Sequence, residues 1–296
     1  MSEGRSTSQR STTAFAKEKF ASRRAHSMPL TRGVEILRRL IGIGLPDVRP
    51  VFLHIPKIAG SSIHRVLAER YQRCWRVSVS VEGDMPRVWA MPEWKFRRCA
   101  YYAGHFGMET VNRVRTRKFA FTFLREPLDR VLSHYYYFKG LPTDAPIKAV
   151  RLAHELSLLD YVKCDDPDVR HTLEDVQARQ FIEPEQALDK GLITADPDIQ
   201  KRAATAIGAL SQFDFIGLTE RFDDGLELLS DGIGFSFQAY HENATDDRRP
   251  VDDLSVRERD AVEELIRADR IVYRWAVNNW QAAKGEIVSN GPLRSR

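Results

Sequence analysis

Cysteine is scarce: the chain has three, Cys74, Cys99 and Cys164, odd in number and widely scattered. They form no CxxC pair and no Cys/His cluster, which argues against a disulfide framework and a structural zinc site and suits a reducing compartment. Long apolar runs are also missing. None approaches the ~20 residues of a membrane-spanning helix, and the N-terminus has no apolar core of the signal-peptide kind. The expectation is a soluble, cytoplasmic protein. A surplus of one charge is lacking too, because 45 Lys/Arg face 41 Asp/Glu. Residues 1–30 hold six of the basic and two of the acidic residues, so the rest of the chain is balanced. A balanced body argues against a nucleic-acid surface, which needs a basic face. Anion binding must therefore be local.

What is present is a chain of 296 residues, 43% apolar and 29% charged, long enough to bury a sizeable core. Overall disorder, a collagen-like fibre and a small disulfide scaffold are excluded on those figures. Residues 1–30 are rich in Ser, Thr, Arg and Lys without apolar period and are expected to be a disordered basic arm. Residues 31–50 form a short lead-in, where 34–45 (VEILRRLIGIGL) has the pattern of an amphipathic helix, docked on the body or lying on a membrane surface. A domain over 51–283 and a flexible tail over 284–296 complete the division. Strands are expected at 51–55, Trp75–Val81, Ala100–His105, Phe119–Leu124 and Phe213–Leu218, each followed by helical periodicity. Residues 150–211 read as several helices. Ser255 with Glu258 three residues on is a capping box, opening a last helix whose stripe runs through Val262, Leu265, Ile266, Val272 and Trp275. Strands alternating with helices make the fold class α/β, a central parallel β-sheet flanked by helices.

Two segments carry chemistry. VFLHIPKIAGSSIHRVL reads as a buried strand, a tight loop with Pro56, Lys57 and Gly60, and a helix opened by Ser61 and Ser62. A helix N-terminus offers unpaired N–H groups and partial positive charge to an anion. Lys57 adds a full charge, the hydroxyls add donors, and Gly60 lets the main chain approach a bound oxyanion. GxxxxGK[ST] would place the lysine after the second glycine, whereas here it precedes the only one. No strand ends in an Asp suited to hold magnesium, so a transferred group of low charge, such as sulfuryl, fits better than phosphoryl. FAFTFLREPLDRVLSHYYYF is again strand, turn and helix. Arg125 leaves the strand end where ligands of open α/β sheets bind. Ser133 falls off the Leu128/Val131/Leu132/Tyr135 stripe, so the two can converge on one phosphate, the arginine as a bidentate fork. Either segment alone is also compatible with an ordinary strand–turn–helix. Together they imply a ligand with two separated anionic groups.

These residues resemble a known family. VFLHIPKIAGSS resembles the phosphosulfate-binding loop of the sulfotransferases, and TFLREPLDRVLSHYYYF their 3′-phosphate motif. The likeness extends from about Val51 to Trp280 and is greatest to the carbohydrate branch that includes the heparan sulfate 2-O-sulfotransferases and bacterial relatives. YYAGHFGM resembles that branch's catalytic-base segment. The resemblance implies a P-loop-like sulfotransferase fold that binds 3′-phosphoadenosine 5′-phosphosulfate (PAPS) and requires no metal. It implies that Lys57 contacts the oxygen bridging phosphate and sulfate, and that Ala59, Gly60, Ser61 and Ser62 hold the 5′-phosphosulfate. Arg125 and Ser133 then bind the 3′-phosphate, with Arg248 and Arg249 as candidates from a closing loop. His105 becomes the base that takes the acceptor's proton, and Glu109 is a fallback.

A histidine suits that role because imidazole titrates near ~6.5. Gln177 and Arg179 resemble a family segment near the acceptor. Arg113, with Arg115, Arg117 and Lys118, is either a solvated rim or a recognition patch for an acidic glycan or anionic lipid headgroup. Trp89 and Trp94 are placed to stack on sugars or to pack in the core. His54, His64 and His134 are expected to pack. The implied function is sulfuryl transfer from PAPS to a hydroxyl of a polysaccharide or glycolipid, with peripheral membrane contact open. The alternatives are a catalytically silent nucleotide-binding protein of the same fold and a P-loop kinase.

Overall fold

The computed structural model describes residues 45–58, 60–79, 84–237 and 248–290, the last ten by their backbone alone. Ala59 and almost all of the expected 34–45 helix lie outside the described residues. The described part runs β1 (Arg49–Leu53), α1 (Gly60–Arg70), β2 (Trp75–Val79), α2 (Met85–Trp89), α3 (Glu93–Phe96), β3 (Cys99–Gly104), α4 (Met108–Arg113), β4 (Lys118–Leu124) and α5 (Pro127–Lys139). A helical stretch follows: α6 (Lys148–Glu155), α7 (Leu158–Val162), α8 (Pro167–Leu173), α9 (Val176–Ile182), α10 (Glu185–Asp189) and α11 (Ile199–Leu210). The chain then adds β5 (Phe215–Leu218), α12 (Phe222–Ile233), α13 (Val256–Leu265) and α14 (Arg267–Asn290), which crosses the expected boundary at 283.

All five strands lie in one parallel sheet of order β2-β3-β1-β4-β5, the α/β architecture expected. The nearly continuous buried runs of β1, β3 and β4 suit this, since the inner strands of a parallel sheet are covered on both faces, whereas β2 at one edge exposes Arg76 and Ser78. From β1 the chain leaves toward β2 on one side, and from β4 it leaves toward β5 on the other. The carboxyl ends of neighbouring β1 and β4 therefore form a switch point, where open α/β sheets make a ligand crevice. β3 adjoins β1 on its other side, so the loops after β3, β1 and β4 emerge along one edge.

The sheet core includes Phe52, Phe121 and Phe123, with Phe52 stacked on Phe121 at 5.0 Å. A second cluster joins the Leu128/Val131/Leu132/Tyr135 face of α5 to Tyr161 and Val262. Helix α5 is enclosed nearly all round in its first turns, so Ser133, expected on a face free of the core, is buried as well. The expected single last helix is two helices. Ser255 and Glu258 form the capping box of α13, but the helix ends at Ile266 (φ −119°, ψ 25°) and α14 starts at Arg267. Apolar spacing persists across the break, which is why periodicity alone joined the two.

Candidate functional site

The loop after β1 turns sharply. Lys57 adopts the left-handed region at φ 73°, a conformation costing a non-glycine residue about 1–3 kcal/mol unless its surroundings fix it. Arg125 supplies that fixation from the end of β4, its guanidinium donating to the Lys57 carbonyl at 3.0 Å. The Lys57 ammonium lies 3.7 Å from the centroid of the Tyr137 ring. Burial, then the guanidiniums of Arg125 and Arg130, lowers the lysine from its ordinary value to about 8. Ser61 is exposed at the start of α1, whereas Ser62 is buried in its first turn.

The structure corrects the reason for glycine at position 60. A Cβ there would stand 2.1 Å from Nε2 of His54 and 2.5 Å from Cε1. Gly60 is required because an imidazole fills the space a side chain would need.

Arg125 donates through Nε to Asp129 Oδ2 at 2.7 Å, and its NH2 group lies 2.6 Å from the same oxygen. With the bond to Lys57, three of its five N–H groups are engaged and two remain to donate to an anion. Asp129 also takes Arg248 on its other oxygen at 2.7 Å. One carboxylate thus gathers two candidate phosphate-binding arginines from distant segments. Arg249 is not brought in; it pairs with Glu258 at 2.6 Å, in the capping box of α13.

His54, expected simply to pack, lies at the centre of a histidine cluster. Its ring stacks on His105 with centroids 4.4 Å apart, and its Nδ1 lies 3.1 Å from Nε2 of His64. Burial, with the charges of His105, His64 and Lys57, lowers His54 well below the ordinary histidine value. His64 is pushed down to about 4 by burial and by His105. His105 follows Gly104 at the end of β3. That glycine has φ 146°, and a Cβ on it would meet the Val79 carbonyl at 2.2 Å, so only glycine fits. Nδ1 of His105 is 2.6 Å from the His54 carbonyl oxygen. A carbonyl only accepts, so Nδ1 carries the proton and Nε2 is the basic nitrogen. This is the tautomer a general base needs. His134, in contrast, is enclosed in α5 against Phe138.

Helix α9 supports two of the three loops. Gln177 accepts from the Arg125 N–H and donates to the Arg125 carbonyl, both at 2.9 Å. Three residues on, and so on the same helix face, Gln180 donates to the Phe106 carbonyl at 2.8 Å. The start of α9 is capped by Asp269, whose carboxylate accepts from the N–H groups of Gln177 and Ala178 at 3.2 and 2.7 Å. Asp175 returns the arrangement, capping α14 through the N–H groups of Ala268 and Asp269 at 2.8 and 3.0 Å. Both acids are buried. Burial and the Asp175 charge raise Asp269 to about 7, while Arg202 pairs with Asp175 at 2.6 Å. A second exchange holds the segment after His105. Glu185 accepts from Gly107 and Thr110 N–H at 3.0 and 2.7 Å, and Glu109 accepts from Glu185 N–H at 3.3 Å.

Four residues expected near the acceptor therefore have other partners. Gln177 is 1% exposed, with both ends of its amide on the Arg125 backbone. Arg179, also 1% exposed, donates to the carbonyls of His171 and Glu174 and pairs with Glu183. Arg113 donates to the carbonyls of Val88 and Met91 and to Glu93, tying the α2–α3 connection to α4. Glu109 serves as a cap for α10. No local pattern marks Gln180, Glu185 or the Asp175–Asp269 exchange, whose partners lie far along the chain, and Asp129, though an i,i+4 partner of Arg125, carries no sign of its second arginine, Arg248, 119 residues on. Among the described residues no group of three His, Cys, Asp or Glu side chains is arranged to hold a metal ion, and no helix is long and apolar enough to cross a membrane.

Residues 46–269, well over half of the chain, match the model of the Sulfotransferase family. No match is found among curated proteins. Among solved structures, the chain is similar to mouse sulfotransferase SULT7A1 complexed with PAP. The identity is 13%, the TM-score 0.28, and the comparison covers 78% of this chain and 87% of that chain.

Proposed function

Because the chain belongs to the sulfotransferase family, we propose that it moves the sulfuryl group of PAPS to a carbohydrate hydroxyl, on a polysaccharide or glycolipid. The observation that carries this is the convergence of three loops on one sheet edge. Lys57 after β1, His105 after β3 and Arg125 after β4 stand at adjacent strand ends, and Arg125 is hydrogen-bonded to the Lys57 carbonyl. Two cationic positions tied to one another suit a donor with a phosphosulfate at one end and a 3′-phosphate at the other.

In this proposal the two remaining N–H groups of Arg125, with Arg248 beside it on Asp129, take the 3′-phosphate, and Ser133 adds a hydroxyl. Gly60, Ser61 and Ser62 receive the 5′-phosphosulfate at the start of α1, where the positive end of the helix dipole favours an anion. The acceptor hydroxyl oxygen bonds to sulfur as the bond from sulfur to the bridging oxygen breaks. Its proton passes to His105 Nε2, and the electrons left on the phosphate oxygen are stabilised by the Lys57 ammonium. Preorganised charge of this kind contributes roughly 3–4 kcal/mol per donor to the transition state.

The test has two arms. Adenosine 3′,5′-bisphosphate should raise the thermal unfolding temperature without magnesium. Labelled sulfate from PAPS should appear on at least one member of a panel of glycans and glycolipids, with turnover lost in Lys57→Ala and His105→Ala. Magnesium-dependent ATP binding without a bisphosphate effect would point to a kinase. Bisphosphate binding without transfer to any acceptor would point to a silent binding protein.

A further inference from the structure

Tyr137 is a surface aromatic with a charge on its face. It lies near the end of α5 with 42% of its surface exposed, and the Lys57 ammonium stands 3.7 Å from its ring centroid. That distance is well inside the ~6 Å within which a ring quadrupole attracts a cation. The lysine is directed there by its backbone, which is left-handed at φ 73° and anchored through its carbonyl by Arg125. The other charges acting on the amine are the guanidiniums of Arg125 and Arg130, which oppose its charge, as burial does. Something must favour the ammonium without cancelling it. A carboxylate would do the first and fail the second, because it would neutralise the cation and repel an anionic donor. A π face supplies negative potential with no formal charge.

We propose that Tyr137 is a positioning residue for Lys57, its ring holding the ammonium charged and aimed along the sheet edge toward an anionic leaving group. The inference rests on the sulfuryl-transfer reading for the use of Lys57, but the ring–amine contact is testable apart from it. Tyr137 acts through the lysine, so its effect should vanish when the lysine is absent. Its phenolic oxygen has no part in the contact, so phenylalanine should suffice and an aliphatic side chain of similar size should not.

The experiment is a double-mutant cycle on the dissociation constant of adenosine 3′,5′-bisphosphate, measured by titration calorimetry at pH 7, with NMR of the Lys57 side chain. A cation–π contact of ordinary strength corresponds to a loss of roughly 2–5-fold in affinity for Tyr137→Leu. Tyr137→Phe should restore the affinity, and Tyr137→Leu should add nothing in a Lys57→Ala background. The Lys57 ε-methylene protons should resonate upfield through the ring current in the parent and in Tyr137→Phe, and at ordinary lysine positions in Tyr137→Leu. Equal losses in the parent and Lys57→Ala backgrounds, a Tyr137→Phe variant that behaves like Tyr137→Leu, or unshifted methylene protons in the parent would each overturn the proposal. If the parent itself does not bind the bisphosphate, the sulfuryl-transfer reading fails, while the ring-current measurement still decides whether Tyr137 holds the amine.

Discussion

Gly60→Ala is a sharp test of how the lysine loop is built. The added methyl carbon would stand 2.1, 2.3 and 2.5 Å from three atoms of the His54 ring. Ordinary carbon contacts begin near ~3.5 Å, so ring and helix must separate by roughly an ångström. The ring cannot swing aside, since it stacks on Phe52 at 5.2 Å and on His105 at 4.4 Å, and His64 lies against it at 5.0 Å. Overpacking of this kind costs about 1–3 kcal/mol. At about 2–4 °C per kcal/mol for a folded unit of this size, the unfolding temperature should fall by about 2–12 °C. Bisphosphate affinity should fall with it, because the strain arises beside Lys57. Calorimetric unfolding of Gly60→Ala, His54→Ala and the double variant checks the cause. His54→Ala removes the obstacle, so the double variant should be more stable than the sum of the single effects by about 1–3 kcal/mol. A Gly60→Ala protein that unfolds within about 1 °C of the parent, or a double variant whose losses simply add, would refute the view that the imidazole dictates the glycine.

Lys57 sits near 8 in the structure, and a bound phosphate would draw it back toward the ordinary ~10.4. Bisphosphate affinity should then be level between about pH 7 and 8, where the ligand phosphates are already ionised, and fall as pH rises further, a trend absent in Lys57→Ala; an affinity unchanged between about pH 7 and 9.5 would contradict this. Gln177→Ala leaves the N–H and carbonyl of Arg125 without partners, each omission costing about 1–3 kcal/mol if water does not enter. A lower unfolding temperature and weaker bisphosphate binding are expected together, measured by thermal shift with and without the nucleotide. Asp269 is raised to about 7, so between its unfolded value of about 3.9 and 7 the folded chain binds the extra proton. The stability of the parent relative to Asp269→Asn should fall as pH rises through that window, whatever constant offset the amide brings; urea midpoints across pH 4–8 that rise instead would exclude it.

Much of the architecture was legible because local chemistry carried it. VFLHI between Pro50 and Pro56 is a buried strand by run length alone, and all five expected strands appear with ends displaced by at most two residues in the described chain. Ser255 and Glu258 form their capping box within a single turn. The break at Ile266 was illegible because apolar spacing continues through it. The scaffold of the site was equally hidden. Gln177 reaches a backbone 52 residues away, and Asp269 one 92 residues away. No local pattern distinguishes a glutamine that clamps a strand end from one that faces a substrate. Gly60 shows the remaining difficulty: a glycine beside a lysine loop suggests room for a ligand, yet the occupant is the protein's own imidazole.

The paired acids at Asp175 and Asp269 bear on how the chain matures during synthesis. Helix α9 receives its cap from a residue made some 90 positions later, and that helix braces the segments behind Arg125 and His105. A nascent polypeptide can assemble all five strands before Asp269 leaves the ribosome, yet its ligand edge still lacks a fastening. Competence therefore arrives late, when the last clasp closes, and a chain cut short after β5 would lack both that fastening and the side chains, Leu229 and Val272 among them, that complete the sheet core.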